Sequence, residues 1–225
     1  KYFEVTVGFY PEFDLYNAHN KLLTGTDLNA DGRLQKKIGA DGAGRQLELR
    51  PEPSTDPEEV VNDIADLLGA VSHLRVCAKG DSQPCGGHIH FGVAFVKFAV
   101  SVKMTTQLVE LLDFFIGRHT AKLNGKARGS YGRLGDARQQ PWGFEYRVAP
   151  SGVFATKRMA YITMKLGKKV LEKVFEEDIK ATYPLSVEDL LPFLSKEEAE
   201  YYLGFPEMYK TLNTNDIVQY WTDKK

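Results

Sequence analysis

The sequence predicts an α+β fold: a mainly antiparallel sheet with one polar, catalytic face, helices on its other face and a helical C-terminus. Three observations predict it. Four short stretches alternate polar and apolar residues with the period of a half-buried strand, a well-signalled helix separates the second from the third, and helical spacing takes over from about Ala155.

The first strand reads from Tyr2 to Phe9, where Phe3, Val5, Val7 and Phe9 alternate with Glu4, Thr6 and Gly8. Continued through Pro11, the same parity puts Tyr10, Glu12 and Asp14 on the polar side. Asn17 to Ile38 is rich in turn residues, with a hairpin signal at Asp31-Gly32. Asp27, Asn29, Asp31 and Gly32 imitate the start of an EF-hand loop, but Ile38 stands where the bidentate Glu belongs, which argues against calcium. Asp41-Gly42 is a further turn, feeding a strand over Arg45 to Arg50 in which Leu47 and Leu49 oppose Gln46, Glu48 and Arg50.

Asp56 reads as the N-cap of a helix with Pro57 at its first position, Glu59 in its first turn and an apolar stripe of Val60, Val61, Ile64, Leu67, Leu68 and Val71. Leu74 to Ala78 reads as a strand, and a loop from Gly80 to Gly87 delivers the strand His88 to Phe91, in which Ile89 and Phe91 oppose the two histidines. Thr105 or Thr106 opens a second helix reaching about Leu123. Asn124 to Gly143 reads as a long basic loop holding Arg128, Arg133, Asp136 and Arg138. In the strand that follows, Phe144, Tyr146 and Val148 oppose Glu145 and Arg147. Met159, Ile162, Leu166, Val170 and Val174 then keep helical spacing, Ser186 caps a short helix, and Ser195 with Glu198 forms a capping box for a helix ended by Gly204 and Pro206. One domain is expected over 1–225, with a catalytic core of about 1–155 and a helical part of about 156–225.

The balance of 29 basic and 30 acidic residues gives no global field toward nucleic acid or an anionic membrane. No apolar run is long enough to span a bilayer, and the expected location is cytoplasmic. Cys77 and Cys85 are too few for a disulfide framework and read as reduced thiols.

The chemistry lies in four pairs set two residues apart: Glu12/Asp14, Glu48/Arg50, His88/His90 and Glu145/Arg147. Carboxylates converging from separate strands repel one another unless a cation lies between them, and a hard ion such as magnesium suits oxygen ligands and shares substrate phosphates. Planar guanidinium groups grip phosphate bidentately. Taken singly, Glu48/Arg50 and Glu145/Arg147 also read as cross-strand ion pairs on a solvated face. Two histidines and a carboxylate also suit a zinc-dependent hydrolase. No GxxxxGK[ST] and no GxSxG pattern is present.

Val7-Gly8 to Pro11-Glu12-Phe13, Asp41-Gly42 to Glu48-Leu49-Arg50-Pro51, Gly86-Gly87-His88-Ile89-His90-Phe91-Gly92 and Gly143-Phe144-Glu145-Tyr146-Arg147 resemble, in that order, the phage-type carboxylate-amine ligases of the glutamine synthetase-like amidoligase group. The resemblance implies a glutamine synthetase-like catalytic fold, with ATP and Mg2+ as cofactors and a carboxylate and an amine as substrates. It places the chain in the host cytoplasm if phage-encoded and leaves the oligomeric state open. By position it implies metal ligation by Glu12, Glu48, Glu145, one of His88 and His90, and Asp41. Arg50, Arg138 and Arg147 would hold phosphate, with Arg138 and Arg147 catalytic. One departure stands out: Tyr10 occupies the position where the family carries an acid before Pro-Glu, and Asp14 is the candidate substitute. A degenerate ligase fold acting as a binding or structural phage protein is the reading that departure supports.

Overall fold

The computed structural model describes residues 4–24, 27, 37–40, 46–78, 85–93, 102–121, 123, 132–174, 176–179 and 183–222. The signals at Asp31-Gly32, Asp41-Gly42, Asp41 itself and Arg128 lie outside them.

β1 (Thr6–Tyr16) is the spine of the sheet. It pairs antiparallel with β6 (Gly87–Gly92) over its first half, and further along with β4 (Leu47–Leu49), β2 (Leu22–Leu23) and β5 (Arg75–Cys77). β3 (Ile38–Ala40) lies outside β4, while β8 (Gly143–Tyr146) and β7 (Ala137–Gln140) follow β6, giving the order β3-β4-β1-β6-β8-β7. These strands pair antiparallel throughout.

Pro11 lies inside this central strand without upsetting it. Glu12 N–H donates to Gly86 O on the β6 side, so the missing N–H of Pro11 falls on the β4 side, one position beyond the Glu12↔Glu48 pair. Parity is kept: Val7, Phe9, Phe13 and Leu15 are fully buried on one face, and Tyr10, Glu12 and Asp14 share the other.

The apolar face is covered by α1 (Pro57–Ala70) and α4 (Lys157–Val174). Asp56 accepts from Glu58 N and Pro57 opens α1, as the sequence predicts. Its Val60, Ile64 and Leu68 meet Met159, Ile162, Leu166 and Val170 of α4 in one buried cluster, where Phe154 stacks on Phe9 with ring centroids 4.1 Å apart. α5 (Val187–Leu190) and α6 (Lys196–Leu203) start at capping boxes on Ser186 and Ser195, and α7 (Phe205–Thr211) follows directly. Gly204 ends α6, but Pro206 is in the first turn of α7, where its missing N–H has no helical partner to lose. No helix among the described residues is long and apolar enough to cross a membrane. Both cysteines are buried, and neither is in a disulfide.

Two boundaries differ from the sequence reading. α2 (Val102–Leu112) starts before Thr105, which is buried inside it, because the stripe of Leu108 and Leu112 extends back to Met104. It runs through a π-helical turn, Asp113–Gly117, into α3 (Arg118–Thr120). The segment after residue 124 is also not all loop, since Ala137–Gln140 forms an edge strand in a hairpin with β8. An edge strand with polar residues on both faces carries no apolar alternation to detect.

His119, on α3, makes stability pH-dependent. Its Nε2 lies 2.7 Å from Tyr202 O, a group that only accepts, so Nε2 carries the proton of a neutral ring. Burial lowers its pKa, and the carbonyl bond only partly opposes this. The unfolded chain therefore takes up the proton first as pH falls, and stability present above about pH 6.5 is lost on moving down toward the folded value. Melting temperature is expected to fall between pH 7.5 and 5.5, with a shallower slope in His119→Gln; equal slopes would remove His119 from the account.

Candidate active site

The register converts the four sequence pairs into rows on one face. Glu12 is directly opposite Glu48, Tyr10 opposite His88, Gly8 opposite His90, His90 opposite Glu145, and Glu145 opposite Arg138. The face therefore runs from Glu48 on β4 to Arg138 on β7.

Glu145 is its best-connected member. His88 Nδ1 lies 3.0 Å from Oε1, Arg147 Nε 3.4 Å from the same oxygen, and Arg138 Nη1 3.9 Å from Oε2. Burial pushes the Glu145 carboxyl up, but the His88 hydrogen bond, with the Arg138 charge assisting, outweighs it and holds the pKa below the ordinary value. At neutral pH Glu145 is a carboxylate. Arg147 also reaches Asp136 at 3.6 Å, and Asp136 accepts from Gly132 N.

The other carboxylates differ. Burial raises the Glu48 pKa, the Arg50 hydrogen bond of 2.8 Å only partly offsets it, and the charge of Glu12 adds to the rise. Glu12 Oε2 accepts from Gly86 N at 2.9 Å, so the GGHIHFG segment positions it through its backbone. Asp14 is 1% exposed and opposite Cys77, on the stretch of β1 past the Glu12↔Glu48 pair. Burial drives the Cys85 thiol pKa far up, with the charges of Asp14 and Glu12 adding to the rise. The structure brings Glu12 with Glu48, and His88, Glu145, Arg138 and Arg147 with one another. Among the described residues no group of three or more His, Cys, Asp or Glu side chains lies close enough to hold a metal ion.

His90 packs between aromatic neighbours, with its ring centroid 4.3 Å from Tyr10 and 5.2 Å from Trp142. Burial lowers its pKa to about 4, with Glu145 opposing, so the ring is neutral at pH 7. Tyr10, in the position where an acid was expected, supplies an aromatic wall there.

Sequence reasoning missed Asp113. It sits in the π-helical turn behind the sheet, accepting from Tyr146 OH on Oδ1 and from Gly135 N on Oδ2, both at 2.7 Å. Tyr146 lies between Glu145 and Arg147, and Gly135 precedes Asp136, so one buried carboxylate ties the strand to the turn that meets Arg147. A π-bulge re-aims side chains in just this way and is common at functional sites, but no periodicity in the sequence signals it.

Fold and face together define an open antiparallel α+β protein with an acid, imidazole and guanidinium surface on one side. Residues 7–188 match the family model described as "Phage phiEco32-like COOH.NH2 ligase-type 2". The chain belongs to that phage-type carboxylate-amine ligase family. Among solved structures it is similar to a bifunctional glutathione synthetase from Pasteurella multocida, with a TM-score of 0.50 and 10% sequence identity, over 96% of this chain and 48% of that one. The chain thus spans about half the length of that structure, and the likeness is one of fold. No curated protein matches.

Proposed function

We propose that the chain is an ATP- and magnesium-dependent ligase: the γ-phosphoryl group of ATP passes to a substrate carboxylate, giving an acyl phosphate from which an amine displaces phosphate to form an amide. Family membership supports the class of reaction. The observation that carries the reading is the Glu12↔Glu48 pair in direct register on the face that also bears Glu145 and Arg138. Like charges directly opposite on a sheet are destabilising, and here the charge of Glu12 adds to the rise in the Glu48 pKa even with Arg50 beside it.

The residues fit magnesium, which takes one or two carboxylates and completes its shell from phosphate and water. Glu12 and Glu48 would hold it; when bound, the ion supplies positive charge to the transferring phosphoryl group. Arg138, with a side chain 58% exposed and only a 3.9 Å contact to Glu145, is the guanidinium best placed to grip phosphate. Arg147, between Glu145 and Asp136, and Arg50, on Glu48 and Ala40 O, orient carboxylates as well.

The expected result is ADP release by purified protein only when magnesium, a carboxylate acceptor and an amine are all present. Magnesium-dependent nucleotide binding with no turnover under any acceptor would favour the second reading, a ligase fold kept for binding, which Tyr10 supports by filling the acid's position with a ring. Stoichiometric zinc in protein purified without added metal would instead support a hydrolase.

A further inference from the structure

Trp142 has no place in the chemistry above, yet it is 39% exposed on the side of the sheet that carries the polar residues. Its position follows from the register. The row next to His90, Glu145 and Arg138 consists of Gly92, Gly143 and Gln140. Gly143 is enforced, because a Cβ there would meet Phe91 O of the backbone at 2.0 Å, while a Cβ on Gly92 would displace the Thr6 hydroxyl, 1.9 Å away. The small Thr6 hydroxyl lies over Gly92, and the indole approaches the imidazole at 5.2 Å with a 33° tilt. Tyr10 backs the same imidazole at 4.3 Å. Large apolar rings ordinarily go to the core, but this set is built on the polar face beside Glu145 and Arg138 and leaves one ring partly in solvent.

We propose that Trp142, backed by His90 and Tyr10, is the stacking platform for the purine base of the nucleotide, with the Gln140 amide presenting a donor and an acceptor to the base edge. The inference rests on the ligase reading for the nucleotide it names. A π-face on an aromatic ring is the common chemistry for holding a base, and a glutamine amide is a two-point partner for the adenine edge. The phosphates would then run toward Arg138. Gln140 shares a face of β7 with Arg138, two residues away, so the base and phosphate partners come from one strand.

The chain's two tryptophans make the test direct. Trp221 is 3% exposed and donates its Nε1 to Phe154 O, so a ligand-dependent change in emission reports on Trp142. Titration with ATP and with adenosine is expected to quench emission, and inorganic tripolyphosphate to leave it unchanged. Trp142→Phe should abolish the signal yet keep the affinity for ATP measured by calorimetry, whereas Trp142→Ala should weaken that affinity about tenfold. Unchanged affinity in Trp142→Ala, or equal quenching by tripolyphosphate, would overturn the platform. ADP release without any adenosine response removes the platform and leaves the ligase; an adenosine response without ADP release keeps the platform and removes the ligase.

Discussion

Replacing Glu145 with glutamine is expected to lower ADP release about 10²- to 10³-fold, the loss typical of removing one electrostatic contact to a reacting group. The variant isolates charge from shape. Glutamine keeps the volume, and its amide oxygen can still accept from Arg147, so the strand pairing on both sides of β8 is untouched. What disappears is a carboxylate held ionised against burial by the His88 hydrogen bond and the Arg138 charge. In the proposed reaction that charge orients Arg138, the guanidinium assigned to phosphate, and His88. A steady-state assay of ADP release, with melting temperature measured in parallel, checks the prediction. Glu145 and His88 are each 7% exposed, so the melting temperature should also fall, and turnover is compared at a temperature where both proteins are folded. Turnover within a factor of two of the parent would remove Glu145 from the site.

The strands that carry this site were legible because each has one buried face, so a period of two appears directly in the residue types. Ile89 and Phe91 against His88 and His90, and Phe144 and Tyr146 against Glu145, fix both the strand and its orientation. Helix starts at Asp56, Ser186 and Ser195 were legible for a different reason: a cap is satisfied within three residues of itself. Parity could place residues on a face but not rank them along it. Asp14 has the right parity and lies opposite Cys77, beyond the Glu12↔Glu48 pair, because it is two residues farther along β1. Arg138 was named while its strand was read as loop, for Ala137–Gln140 is an edge with nothing apolar to bury. Trp142 and Asp113 depend on contacts with His90 and with Tyr146 and Gly135, and such long-range contacts leave no local pattern.

Gly143→Ala should be the most damaging single substitution for the fold near the site. The residue opens β8 with φ +151°, a backbone conformation that residues with a Cβ rarely adopt, and the new methyl would lie 2.0 Å from Phe91 O, 2.9 Å from Val93 N and 3.1 Å from Phe91 C. All three atoms are backbone of the partner strand and its continuation, so no rotamer change relieves the clash. Val93 N already donates to Trp142 O at 3.1 Å, and that bond holds the turn against β6. Backbone strain of about 1–3 kcal/mol together with a similar overpacking term implies a loss of about 3–5 kcal/mol. For a chain of this size that lowers the melting temperature by about 10 °C. Gly69→Ala is the matched control, because Gly69 lies on the exposed face of α1 with nothing within 4 Å of the added carbon. There alanine should stabilise by about 0.5–1 kcal/mol, through helix propensity alone. Urea midpoints of the two variants against the parent should therefore move in opposite directions. If Gly143→Ala matched the parent, β6 and β8 could not be packed as closely as their register requires, and the close approach of Trp142 to His90 would lose its physical cause.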